Sequence, residues 1–101
     1  MYYILKDKTP IKEDDLYKWS RWFENISNRI VQQDVIDGKI KVSTVFLCID
    51  HNWNNNGSPI LFETMIFGLP KDYQERYCTW NEAEAGHQKA LKIAKEKTGD
   101  L

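Results

Sequence analysis

Apolar and polar side chains alternate along two neighbouring segments, residues 29–36 and 39–49. Alternation with a period of two residues is the pattern of a half-buried β-strand. The dipeptide Asp37-Gly38 between them favours a two-residue type I′ turn, because both turn positions need positive φ. The pattern therefore predicts a β-hairpin in which Ile36 lies opposite Lys39.

The register of this hairpin decides which side chains share a face of the sheet. With that pairing, Asp34 lies opposite Lys41 on the solvent face as a cross-strand charge pair. The other face carries Val31, Val35, Ile40, Val42, Thr44, Phe46 and Cys48. Further along, the solvent face becomes apolar as well, at Val45, Leu47 and Ile49. We therefore expect the middle of the sheet to be covered on both sides, as in a homo-oligomer.

Shorter apolar segments predict three more strands, at residues 2–5, 60–67 and 75–78. A helix with Asp14 or Asp15 at its start is indicated by the helical spacing of Leu16, Trp19, Trp22, Phe23 and Ile26. A second helix is predicted from Thr79 and Glu82, which form a capping box, to about Lys97, with Gly99 as its stop. We predict one α+β domain over residues 1–101. Its antiparallel sheet has four to five strands, with the C-terminal helix packed on one face and a second, N-terminal helix.

The C-terminal helix presents a stripe of small residues with His87 at its centre. The stripe consists of Ala83, His87, Ala90, Leu91 and Ala94. A polar ring in the contact zone between helix and sheet must find a hydrogen-bond partner. We therefore predict that His87 is buried and bonded to a polar group, with Asp50 or Thr64 as candidates.

Composition excludes several classes of protein. The chain is 42% hydrophobic and 13% aromatic, which is typical of a folded domain. Its 14 Lys and Arg against 15 Asp and Glu give a net charge of −1, so binding to duplex nucleic acid is not expected. No apolar run is long enough to span a membrane, and the first residues do not resemble a signal peptide. We therefore expect a cytoplasmic protein without membrane contact, in which Cys48 and Cys78 are free thiols.

Two pairs of polar residues on the strands are candidate ligand-binding groups. Asp50 and His51 follow the second hairpin strand; the alternative is that Asp50 caps the Asn-rich loop while His51 faces solvent. Glu63 lies among apolar side chains and needs a cation, for which Arg76 on the neighbouring strand is suited. That pair is interpreted either as structural or as facing a ligand.

A third candidate site lies where the last strand meets the last helix. Arg76 offers a fork for phosphate, whereas Tyr77 and Trp80 offer rings for a base. Thr79 stands at a helix N-terminus, which favours anions. The alternative is an ordinary capped helix with core aromatic residues.

Metal and cofactor chemistry is not expected. His51, His87, Asp50 and Glu63 lack the spacings typical of zinc sites, and the chain has no glycine-rich phosphate loop. We therefore predict neither a metal nor a cofactor.

Three blocks of the sequence together resemble a family of small proteins encoded by tailed bacteriophages. They read VSTVFLCIDHNW, LFETMIFG and ERYCTWNEAEAGH. The resemblance extends over roughly residues 19–90. The family usually has Gly in place of Cys48 and often Ser or Thr in place of Cys78, which argues against either cysteine being a nucleophile.

The resemblance implies an accessory phage protein that acts in the host cytoplasm. The expected function is non-enzymatic, either sequestering a nucleotide-like messenger of host defence or blocking a host defence protein. One alternative is a small hydrolase that uses His87 or His51 as a base with Asp50 as its orienter. Another is a structural or assembly component of the virion.

Overall fold

The computed structural model describes residues 1–54 and 56–99. In chain order the elements are β1 (Tyr3–Lys6), β2 (Thr9–Lys12), α1 (Leu16–Glu24), a 3-10 turn (Ile26–Arg29), β3 (Ile30–Ile36), β4 (Ile40–Phe46), β5 (Phe62–Phe67), β6 (Tyr73–Tyr77) and α2 (Trp80–Gly99). β1 and β2 form a hairpin, and β3, β4, β5 and β6 form an antiparallel sheet in that order. The predicted α+β fold class is confirmed, with α2 packed on one face of the four-stranded sheet.

Strand boundaries differ from prediction where the backbone leaves the extended conformation. β4 ends at Phe46 instead of residue 49, and Cys48 just beyond it has a φ of 68°. β2 was not predicted, because Pro10 lies within it and proline is unusual in a strand. Proline is tolerated there because β2 is an edge strand in a sheet of only two strands.

The register predicted for the β3–β4 hairpin is wrong by one residue. Asp37 and Gly38 adopt the expected positive φ, and Lys39 N donates to Ile36 O over 3.1 Å. However, Ile36 pairs with Ile40 in the ladder, so Lys39 belongs to the loop. Since side chains alternate along a strand, this slip moves β3 residues to the opposite face.

The corrected register reverses the positions of Asp34 and Val35. Asp34 pairs with Val42 and lies on the face covered by α2, so the predicted Asp34–Lys41 charge pair does not form. Val35 pairs with Lys41 and is 63% exposed instead of buried. A bulge between Ile30 and Gln32 shifts the register again, and Val31 there packs against the core as predicted.

The start of α2 is fixed by the predicted capping box. Thr79 Oγ1 accepts from Glu82 N over 3.1 Å, and Glu82 Oε1 accepts from Thr79 N over 3.0 Å. The helix then crosses the sheet on small residues, and Ala83, Ala90 and Ala94 are fully buried. It is described as helical to Gly99, two residues past the predicted Lys97.

α1 is capped at its N-terminus by Asp15, whose side chain accepts from Tyr17 N and Lys18 N. Its predicted apolar stripe is only partly covered. Trp19, Trp22 and Phe23 pack against the core, whereas Leu16 is 56% exposed and Ile26, just beyond the helix, is 64% exposed. Helix α1 lies mainly against β1 and the 3-10 turn. Within the described residues, no helix is long and apolar enough to cross a membrane.

The face of the four-stranded sheet opposite α2 has neither helix packed on it. We call it the open face. The cross-strand pairs place eleven side chains there: Ile30, Gln33, Val35, Lys41, Ser43, Val45, Glu63, Met65, Phe67, Gln74 and Arg76.

Candidate functional site

A chain of polar side chains lies buried between α2 and the sheet, with His87 at its centre. The His87 ring is fully buried; its Nδ1 lies 2.6 Å from Thr44 Oγ1, and its Nε2 lies 2.8 Å from Asp34 Oδ2. Thr44 Oγ1 in turn lies 2.6 Å from Thr64 Oγ1. The predicted burial and hydrogen bonding of His87 are confirmed. Its direct partners are Thr44 and Asp34, in place of the candidates Asp50 and Thr64.

The order carboxylate, imidazole, hydroxyl resembles that of an activated nucleophile. Thr44 and Thr64 are fully buried, however, so no substrate reaches either hydroxyl. Asp34 is the exposed end of this series of hydrogen-bonded side chains, with 40% of its side chain accessible. A neutral ring that donates from Nε2 to Asp34 and accepts from Thr44 at Nδ1 satisfies every group. The arrangement therefore stabilises the fold rather than performing catalysis.

Asp34 links this network to acid stability. The His87 hydrogen bond, followed by that of Gln32, lowers the pKa of Asp34 below 3.8 and outweighs the opposing effect of burial. A carboxyl group whose pKa is lower in the folded state stabilises the fold above its unfolded pKa. That contribution is lost as the pH falls through the folded value.

We expect Asp34→Asn to flatten the acid limb of the stability curve. The stability difference between wild type and variant should be constant above about pH 5 and should shrink as the pH falls below about 4. Urea unfolding at a series of pH values measures this difference. Asp37→Asn, in the turn of the same hairpin, is the matched control and should keep the wild-type slope. An unchanged slope in Asp34→Asn would contradict the assignment.

Asp50 and His51 are occupied by the loop that follows β4. Asp50 Oδ1 accepts from Asn52 N over 2.8 Å and from Ile60 N over 3.0 Å. His51 Nδ1 donates to the Ile49 carbonyl over 2.7 Å, and its ring lies 5.2 Å from that of Trp53. The structure agrees with the alternative in which Asp50 caps this loop. Among the described residues Asp50 forms no hydrogen bond with His87 or with His51, so neither pairing of the hydrolase alternative is observed.

Glu63 and Arg76 form the predicted ion pair on the open face. Arg76 Nε donates to Glu63 Oε2 over 2.8 Å, and the Gln74 amide donates to the same oxygen. Tyr77 points the other way, towards α2, because adjacent strand residues alternate. Arg76 and Tyr77 therefore cannot bind the same nucleotide. The predicted site that combines Arg76, Tyr77 and Trp80 is not formed.

The Tyr77 ring packs against α2 at Gly86. A Cβ atom at Gly86 would overlap the Tyr77 ring and hydroxyl, so only glycine fits there. Burial raises the pKa of Tyr77, against a smaller lowering by the Thr64 hydroxyl. Thr64 is thus close, although no well-aligned hydrogen bond joins the two hydroxyls. Tyr77 is part of the core rather than of an accessible site.

Thr79 and Trp80 do border an accessible groove of about 420 Å³. The turn between β1 and β2 forms the other wall, where Asp7 and Lys8 have φ values of 51° and 70°. Lys8 Nζ lies 5.5 Å from the centre of a Trp80 ring. The Trp80 indole N–H is buried without an acceptor among the described residues. The described residues that line the groove are Asp7, Lys8, Thr9, Pro10, Thr79, Trp80 and Asn81.

Both cysteines are free and poorly suited to nucleophilic attack. Burial raises the pKa of Cys48 to about 12. Burial, and then the charges of Glu82 and Asp50, raise the pKa of Cys78. Since the thiolate is the reactive form, neither residue is activated. Over residues 1–54 and 56–99, no three His, Cys, Asp or Glu side chains come together as a metal-binding group.

The eight residues predicted to bind a ligand thus lie in four places. His87 and Tyr77 are in the core, Asp50 and His51 in the loop after β4, Glu63 and Arg76 on the open face, and Thr79 and Trp80 at the groove. Comparison of the chain with protein-family models, curated proteins and solved structures finds no match.

Proposed function

We propose that this chain is a non-enzymatic binding protein that takes up a small nucleotide-like anion in the groove beside Trp80. The observation that carries the proposal is the meeting of a cation and an aromatic ring, Lys8 and Trp80, in the groove. A nucleotide has the matching chemistry, since it joins an anionic phosphate to a flat base.

Each part of a nucleotide has a counterpart in the lining. A base can stack on the Trp80 indole, since every base has a π-face. A phosphate can be held by Lys8 together with the backbone N–H groups of Trp80 and Asn81, which have no acceptor within the helix. The Asp7 carboxylate would oppose a bare phosphate but can accept from ribose hydroxyls. The mixed lining therefore favours a nucleotide over an inorganic anion.

The size and charge of the site favour a small ligand. About 420 Å³ falls within the usual range of small-molecule sites, roughly 300–1,000 Å³. A net charge of −1 for the whole chain disfavours the many phosphate contacts that a duplex requires.

Sequestration fits this groove better than hydrolysis. The described residues of the lining include neither histidine nor cysteine, and the Thr79 hydroxyl already accepts the capping hydrogen bond from Glu82 N. The resemblance to tailed-phage proteins supports a role in the host cytoplasm. A protein that captures a nucleotide messenger there would interrupt a defence signal without any catalytic step.

We expect Lys8→Ala to weaken nucleotide binding about tenfold, because Lys8 is the only cation among the described residues that line the groove. Isothermal titration with adenosine monophosphate, adenosine and orthophosphate measures the effect, and the intact nucleotide should bind most tightly. Lys12→Ala is the matched control, since Lys12 is exposed in the same hairpin but does not line the groove.

Chromatography of the ligand after heat release separates binding from catalysis. Recovery of the intact nucleotide is expected, and a new product peak would indicate hydrolysis instead. Equal affinities for the Lys8→Ala and Lys12→Ala variants would place binding outside the groove.

A further inference from the structure

Several polar side chains of the open face form hydrogen bonds with one another within the plane of the sheet. Glu63 accepts from Arg76 and Gln74, and Ser43 Oγ accepts from the Gln33 amide over 2.9 Å. Glu63 and Ser43 are only 9% and 8% exposed, although neither helix covers them. A further molecule can therefore cover the face without leaving these two groups buried and unpaired, which would be costly.

Apolar side chains on the same face remain accessible. Val35 is 63% exposed and Phe67 is 48% exposed, while Val45 and Met65 are half-buried. On this face, every cross-strand pair between β4 and β5 joins a polar side chain to an apolar one. Covering them would remove apolar surface from water, which is the main favourable contribution to association.

The dimensions of the open face suit a small protein–protein interface. Four strands about 4.8 Å apart and six residues long give a patch of roughly 19 by 20 Å. The side chains make the surface of the patch uneven, so its accessible area is larger than that of a flat rectangle. Pairing two copies would therefore bury roughly 1,000 Å² in total. That is close to the lower limit for a specific interface.

The Glu63–Arg76 pair is itself self-complementary. Both donors converge on Glu63 Oε2, so Oε1 accepts no hydrogen bond from the described residues. Arg76 uses only Nε, which leaves both Nη groups without a described acceptor. Each copy thus offers a free acceptor beside free donors. A two-fold axis can match such a patch with itself.

We propose that the open face is the interface of a symmetric homodimer, with a second copy of this chain as its occupant. Arg76 of each copy then donates to Glu63 Oε1 of the other, and the apolar contact is formed by Val35, Phe67, Met65 and Val45. Lys41, which is exposed, keeps its ammonium in water at the rim. The interface shares no residue with the groove, so it stands or falls independently of nucleotide binding.

Sedimentation velocity of the whole chain from about 1 to 200 μM tests the homodimer, a range that covers weak self-association. We expect a species of twice the 12.0 kDa chain mass at the upper concentrations. Val35→Lys should raise the dissociation constant at least about 100-fold, because each interface would then lose two exposed apolar side chains and gain two positive charges beside Lys41. Tyr17→Lys is the matched control, since Tyr17 is 69% exposed on α1, and it should remain dimeric.

Phe67→Lys provides a second test on another strand, and circular dichroism confirms the fold of each variant. Loss of the dimer in a folded Val35→Lys or Phe67→Lys variant, with Tyr17→Lys unchanged, supports the interface. A wild-type chain that stays monomeric throughout would overturn it. So would a dimer that tolerates both lysine substitutions.

Discussion

Replacing His87 with alanine should lower the free energy of unfolding by about 3–5 kcal/mol. The substitution removes a fully buried ring and leaves a cavity between α2 and the sheet. It also removes the hydrogen-bond partner of Thr44 and that of Asp34. Because domains are stable by only about 5–15 kcal/mol, this would be a large part of the total.

Urea unfolding followed by far-UV circular dichroism measures the loss. Gln88→Ala is the matched control, because Gln88 is the next residue of α2 and is exposed. It should change stability by less than about 0.5 kcal/mol. A cost below about 1 kcal/mol for His87→Ala would contradict the network, since it would be close to the effect of an ordinary surface substitution.

Gly86→Ala is the second large effect, and its sign is opposite to that expected for an ordinary helix. Alanine normally stabilises a helix interior by about 1 kcal/mol relative to glycine. Here the added methyl group would overlap the Tyr77 ring. We therefore expect a net destabilisation of about 1–3 kcal/mol, the usual cost of overpacking.

A double-mutant cycle with Tyr77→Val isolates the cause. Once the ring is removed, Gly86→Ala should become neutral or stabilising by up to about 1 kcal/mol. Thermal or urea unfolding of the four proteins provides the comparison. An equal penalty with and without the Tyr77 ring would mean that the methyl group meets some other obstacle.

Local sequence patterns predicted the features that depend on neighbouring residues. The capping box at Thr79 and Glu82 involves residues three apart, and it formed as expected. The burial of His87 followed from the small residues around it in α2. The pairing of Glu63 with Arg76 required only that β5 and β6 be neighbours, and they are.

Asp34 shows where local reasoning failed. The Asp37-Gly38 turn formed with the expected φ values, yet one extra loop residue, Lys39, changed the pairing. An error of one residue is enough to reverse a strand, because its side chains alternate. Asp34 therefore appeared to face solvent, and its contact with His87, 53 residues away in sequence, was missed.

The groove was missed for a related reason. Thr79 and Trp80 were recognised from the helix start, but their neighbour Lys8 comes from the far end of the chain. The turn that carries Lys8 joins β1 to β2, and β2 was not predicted because it contains a proline. A contact of this kind leaves no periodic signal in either segment, so only the fold reveals it.

The order of the strands also has a consequence for how the chain folds during synthesis. β3, β4, β5 and β6 each pair with the next strand in sequence, so the sheet can assemble by short-range loop closure, which favours rapid folding. α2 follows these four strands in the chain, so it leaves the ribosome after them. Until it does, Thr44, Thr64 and Asp34 are hydrated, and the nascent sheet exposes both of its faces. Docking of α2, which inserts His87 between helix and sheet, is therefore expected to be a late step in folding, after the four strands have paired.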